Sequence, residues 1–234
     1  MNTMNPKTVG EWVAERPSRS RIFEKAGIDY CCGGKRSLDV AALEAGIDPV
    51  TLLSELEAQA PVEGDRDWRQ ASLTEMVERI LRAHHDWLRE NMPRISHLAT
   101  KVAQVHGGHT PQVLEIAAVY GALREEMEPH LVKEENILFP AALGWAETGV
   151  LSLGCHAVGN LEGPLSVMES DHQLVGDLLE KLVGLTERFE PPASACNTWR
   201  ALYDALRELD ANTRAHVHLE NEVLHPAIRK LAEA

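Results

Sequence analysis

The sequence predicts an all-α protein, with a small helical N-terminal domain ahead of an up-down-up-down four-helix bundle. Three observations predict it. Ala, Leu, Glu and Val abound while aromatic residues make up 5% of the chain, a composition suited to helices rather than sheets. Four long segments carry helical patterning and are separated by turn signals. The second and fourth of these segments repeat one another, which points to a duplicated helical hairpin.

Taken in order, residues 1–62 read as short helical pieces: VGEWVAERP, SRSRIFEKAG, IDYCCGGKR, LDVAALEAG and DPVTLLSELEAQ. Gly27 and Gly46 stand where helix ends favour glycine. PVEGDRD, residues 61–67, is polar and contains Pro and Gly, so the domain boundary is placed there and the bundle is assigned to residues 68–234. Its first helix is expected from about Trp68 to His106, interrupted by Pro93 and stopped by HGGHTP. The second runs from Pro111 to Pro140, the third from Pro164 to Phe189 ahead of Pro191-Pro192, and the fourth from Ala195 to the C-terminus. Residues 142–163, with Cys155 and His156, read as a long connection with a short helix of its own.

Composition also excludes functions. A net charge of -13 opposes binding to a phosphate backbone or an anionic membrane surface. No stretch approaches the roughly 18 apolar residues of a membrane span, and the N-terminus lacks an apolar signal region, so the expected compartment is the cytoplasm. Cys31 and Cys32 are adjacent, which argues against a disulfide framework. Cys155 and Cys196 read as structural thiols.

The chemistry sits in the repeat. EPHLVKEENILFPA (128–141) and RAHVHLENEVLHPA (214–227) share His-x-x-x-Glu, then an aliphatic residue, then Leu-x-Pro-Ala. Upstream, a histidine precedes each by a similar interval: His85 lies 45 residues before His130, and His172 lies 44 before His216. From His85 to His106 is 21 residues and from Thr110 to His130 is 20, so both legs span roughly 30 Å and return to one height. His and Glu at i and i+4 share a helix face. The set His85 (or its neighbour His84), His130, Glu134, His172, His216 and Glu220 therefore suits a dinuclear metal centre. Imidazole with carboxylate fits iron, whereas structural zinc prefers four ligands, often thiolates. With 11 His and 26 Glu, about one His-x-x-x-Glu pair is expected by chance; three occur. The third, His218 with Glu222, reads as a solvated pair on another side of the helix. Pro129 kinks the helix just before His130 or merely distorts it.

These residues resemble the iron-sulfur cluster repair proteins, a di-iron, hemerythrin-like family also called repair of iron centres. RIFEKAGIDYCCGG is similar to the family's N-terminal domain, and HHDWLRENMP, LATKVAQVHGGH, HLVKEENILFP, MESDHQLVG, ACNTWRALY and HVHLENEVLHP look like its bundle segments in order. The resemblance implies a hemerythrin-like bundle with two bridged iron ions held by four His and two Glu. Alignment through Asp86 and Pro93 chooses His85 over His84. Leu88 and His225 depart from the family's pattern without falling on a ligand, and the stretch 142–163 is its least family-like part. The implied function is repair of iron-sulfur clusters damaged by nitric oxide or oxidative stress, with iron supplied from the di-iron centre. The alternative is a nitric-oxide-binding or nitric-oxide-reducing protein acting as scavenger or sensor. Damaged iron-sulfur proteins and nitric oxide are the expected partners, with a homodimer as the expected self-association. Cys31 and Cys32, in a Gly-rich turn followed by Lys35 and Arg36, are assigned a thiol role, favoured as thiolate by the adjacent positive charge.

Overall fold

The computed structural model describes residues 7–63, 65–153, 156–157 and 160–231. The described chain is all-α apart from one two-stranded hairpin. It forms two compact units, one made of residues up to Val77 with those from Arg214 onward, the other of Glu78–Thr213. None of its helices is long and apolar enough to cross a membrane.

The first unit begins with helix α1 (Val9–Glu15), closed by a capping box in which the Glu11 amide donates to Thr8 and the Thr8 amide donates to Glu11. Helix α2 (Ser20–Ala26) ends at Gly27, whose φ of 70° is left-handed. Ser37 and Asp48 cap α3 (Leu38–Glu44) and α4 (Pro49–Ala58), the latter opening on proline. The helices bury Val9, Phe23, Leu38, Leu52 and Leu56 in one core, together with Tyr30, Cys31 and Val217. Helix α5 (Leu73–Ile80) carries a second capping box, Ser72 with Glu75. The Ser72 amide, then the Arg66 guanidinium and the Ser72 hydroxyl, hold the Glu75 carboxyl at about 2 rather than 4.5. Because this pKa is depressed, the cap's contribution is complete above pH 4.5 and is lost as pH falls through about 2. Glu75→Gln is expected to flatten that part of the acid limb in a helicity-monitored acid titration.

The second unit is a four-helix arrangement of α6 (Asp86–His106), α7 (Gln112–Lys133), α9 (Glu162–Leu185) and the part of α10 (Asn197–Leu219) up to Thr213. Each helix buries a stripe at helical spacing: Leu88, Met92, Ile95, Ala99 and Val102 on α6; Leu165, Met168, His172, Val175, Leu179 and Leu182 on α9. His172 thus occupies a core position. Gly121 lies inside α7, where a Cβ would meet nothing within 4 Å. Gly121→Ala is therefore expected to stabilise the protein by about 0.5–1 kcal/mol, read as a higher urea midpoint.

Three differences from the sequence reading have local causes. The connection after Pro140 carries a short helix, as read, and also strands that were not: α8 (Phe139–Thr148) ends at Gly149, and β1 (Ser152–Leu153) pairs antiparallel with β2 (His156–Ala157). Cys155 lies outside the described residues. Helix α9 stops at Leu185 rather than Phe189, because Thr186 turns its hydroxyl onto the Leu182 carbonyl and Glu187, Arg188 and Phe189 take φ of 50°, 61° and 62°. The bundle helices also contain π-helical turns at Leu81–His85, Glu134–Leu138 and Glu220–Leu224. There the amides of Asp86, Phe139 and His225 reach back five residues, to Leu81, Glu134 and Glu220. Pro140 and Pro226 sit six residues beyond the two glutamates. A proline lacks an N–H and its ring crowds the carbonyl four residues back, a clash the wider turn relieves.

Candidate metal centre

Every expected ligand lies on or beside a π-helical turn or in a core stripe. His85 is the last residue of one turn, while Glu134 and Glu220 open the other two. Such turns rotate the following side chains relative to an α-helix and recur at functional sites. His85, His130, Glu134, His172, His216 and Glu220 are each at most 1% exposed.

The second unit brings four of them together. The Glu134 carboxylate divides its oxygens between two imidazoles, Oε2 lying 3.3 Å from His85 Nε2 and Oε1 3.3 Å from His130 Nε2. His172 Nε2 approaches His130 Nε2 to 3.1 Å. Two ring nitrogens at that distance need a proton or a cation between them, since their lone pairs repel. The outer nitrogens are held from behind. His85 Nδ1 lies 2.7 Å from Glu135, which Arg89 grips at 2.6 Å, and His130 Nδ1 lies 3.3 Å from Asp171, which Lys133 holds at 2.9 Å. A carboxylate on Nδ1 fixes the tautomer that leaves Nε2 as a lone-pair donor. In the first unit, His216 Nε2 pairs with Glu220 Oε1 at 3.0 Å.

This donor set fits iron: buried imidazole nitrogens and carboxylate oxygens without sulfur, with one carboxylate facing two different rings. Glu135 and Asp171 were not recognised in the sequence. Their only signal there is adjacency to Glu134 and His172, and the repeat conceals it by placing Asn221 and His84 at the corresponding positions. Glu135→Gln is expected to weaken metal binding about 10- to 100-fold, measured by competition with a chelator.

His84 is buried too, but its ring reaches Asn212 at 3.3 Å, and Asn212 in turn donates to the Ala83 carbonyl. His218 and Glu222 are not a solvated pair. His218 is 5% exposed, its Nδ1 3.1 Å from the Tyr30 carbonyl, and burial pushes its pKa down to about 4. Asn221 donates to the Cys31 carbonyl at 3.2 Å, and Glu222 lies against Gly10 and Gly34. The C-terminal segment thus grips the Cys31-Cys32 loop. The surroundings of Cys31 oppose a thiolate. Its hydrogen bond with Cys32, its burial and the nearby Asp29 carboxylate all push the thiol well above its ordinary range. Arg36 instead spends its donors on the carbonyls of Asp29 and Gly33 and on Glu44. At the far end of the bundle, His106 contacts exposed Cys196 at 3.3 Å and Trp199 through its ring.

Comparison with known proteins agrees with this picture. Residues 76–229 match the hemerythrin HHE cation binding domain, and residues 5–60 match ScdA_N, a domain of unknown function. The chain is 39% identical over 218 residues to the iron-sulfur cluster repair protein YtfE of Enterobacter sp. (strain 638), covering 93% of this chain and 94% of that protein. To the YtfE of Edwardsiella ictaluri (strain 93-146) it is 39% identical over 225 residues, 96% of this chain and 97% of the relative. The YtfE of Escherichia coli O8 (strain IAI1) is 37% identical over 218 residues, 93% and 94% of the two chains. With likeness of this degree along nearly its whole length, and a hemerythrin-type domain over most of it, the chain belongs to the family of iron-sulfur cluster repair proteins.

Proposed function

We propose that this protein repairs iron-sulfur clusters damaged by nitric oxide or oxidative stress, supplying iron from a di-iron centre held by His85, His130, Glu134, His172, His216 and Glu220. The observation that carries the metal assignment is Glu134, fully buried, with each carboxylate oxygen directed at a different imidazole. The inclusion of His216 and Glu220 rests on the repeat, which reproduces the His130-Glu134 spacing and the π-helical turn that follows. Repair as the task rests on the relatives, each named for it.

Bound iron would supply Lewis acidity and one-electron chemistry. The residues have separable parts in this reading. Glu135 and Asp171 keep His85 and His130 in the tautomer that offers Nε2. The carboxylates of Glu134 and Glu220 offset positive charge in a site from which water is largely excluded. Four histidines rather than a fully histidine-saturated set leave exchangeable positions, which favours release of iron as cargo. The cytoplasm, where the iron-sulfur clients would be met, is the compartment this reading requires.

The test combines metal analysis with reactivation. Two irons per chain are expected, and the iron-loaded protein should restore a nitric-oxide-inactivated iron-sulfur dehydratase in buffer free of other iron. One zinc per chain would overturn the site. Nitric oxide consumption without any reactivation would replace repair by scavenging.

A further inference from the structure

We propose that Asp29, Cys31 and Cys32 form a metal site of their own, separate from the histidine-glutamate set, which binds one thiophilic divalent cation such as ferrous iron or zinc. The ligand atoms of the three residues lie within 4.8 Å of one another. Cys31 Sγ is 3.8 Å from Cys32 Sγ and 3.1 Å from Asp29 Oδ1. Two sulfurs bound tetrahedrally to one cation at about 2.3 Å are held about 3.8 Å apart, so the two thiols already stand at the bite of a chelate.

The backbone is fixed in advance. Asp29 accepts the amides of Cys31 at 2.9 Å, Cys32 at 3.1 Å and Gly33 at 2.7 Å. Arg36 ties the carbonyls of Asp29 and Gly33 from outside the loop, and His218 and Asn221 meet the carbonyls of Tyr30 and Cys31. A Cβ on Gly33 would lie 2.6 Å from the Arg36 guanidinium and 3.0 Å from Asp29 Oδ2, so the absent side chain leaves room for both groups against the loop.

Charge explains why a buried thiol that resists ionisation still suits a cation. Two thiols and the Asp29 carboxylate carry one negative charge. Binding replaces two protons by one divalent ion, (Cys-SH)2 + M2+ giving (Cys-S)2M + 2 H+, and the cluster keeps the same charge. Burial therefore opposes the exchange far less than it opposes a bare thiolate. Three protein ligands leave a fourth position open, and Cys32 is only partly buried. An open position on the accessible side suits hand-over of iron to a client, a role that rests on the proposed cluster-repair function.

Cobalt titration of the full-length, thiol-reduced protein tests the site. Sulfur-to-cobalt charge-transfer absorption is expected to reach the intensity of one sulfur-bound cobalt per chain, whatever further cobalt the histidine-glutamate set takes up. The histidine-glutamate set contains no sulfur and cannot give that band, so the two sites succeed or fail independently. Cys32→Ser should abolish the band, Asp29→Asn should weaken binding about tenfold, equivalent to about 1.4 kcal/mol, and Cys155→Ser and Cys196→Ser should leave it intact. Phenylarsine oxide should be captured at one equivalent by the wild-type dithiol and be blocked by prior zinc loading. A folded, reduced wild type that gives no sulfur band overturns the proposal. So does a band that survives Cys32→Ser, or arsenical capture unaffected by zinc.

Discussion

Glu134→Ala is expected to cost on the order of 100-fold or more in metal affinity and, with it, the iron-dependent repair of a client cluster. The reasoning is geometric. Each oxygen of this buried carboxylate lies 3.3 Å from a different imidazole, so one substitution removes a donor common to both. Merely disturbing the groups behind a ligand costs about 10- to 100-fold, and deleting a ligand costs more. Stability of the metal-free protein is compared separately, because removing Glu134 leaves two buried imidazoles without that partner and opens a cavity. Metal at about 100 times its dissociation constant stabilises a native site by about 2.7 kcal/mol. The expected signature is therefore a thermal midpoint that rises with iron in the wild type and stays flat in Glu134→Ala. An iron-dependent rise of wild-type size in the variant would remove Glu134 from the ligand set. Glu134→Gln, which keeps the volume and one acceptor, separates lost charge from lost packing.

Gly34→Ala is expected to destabilise the first unit by about 1–3 kcal/mol, the usual cost of forcing an extra carbon into a packed site. A Cβ there would stand 2.7 Å from the Tyr30 carbonyl oxygen and 2.7 Å from Glu222 Oε1. The Glu222 side chain has freedom to withdraw; the Tyr30 carbonyl is backbone and is fixed by His218. Gly34 also accepts the Gly10 amide at 2.9 Å, so any retreat of the loop strains α1. Urea denaturation measures the effect. Adding Glu222→Ala should recover only part of the loss, and a midpoint unchanged by Gly34→Ala alone would show that the loop has slack.

Much of this architecture is readable without coordinates. Helical spacing of Leu88, Met92, Ile95, Ala99 and Val102 marks a buried face, and His172 falls in the same register as Met168 and Val175. Gly27, Gly46 and the HGGHTP turn are local signals read from adjacent residues. The candidate set of His and Glu stands out in the sequence because duplication repeats a spacing that chance does not repeat. His85 was separable from His84 only by resemblance, and packing supplies the physical counterpart: one ring faces Glu134, the other Asn212.

What sequence alone determined, then, was helical content, the inward faces and the pairing of histidine with glutamate at i and i+4, since all depend on interactions within a few residues of the chain. Tertiary structure decided the partners. The second carboxylates on His85 and His130 and the burial of His218 against Tyr30 arise between residues 41 to 188 positions apart. No periodicity reports which distant group lies across a core. A helix pattern states which side of a residue is dry, while the chemistry of that residue depends on what the fold places against it.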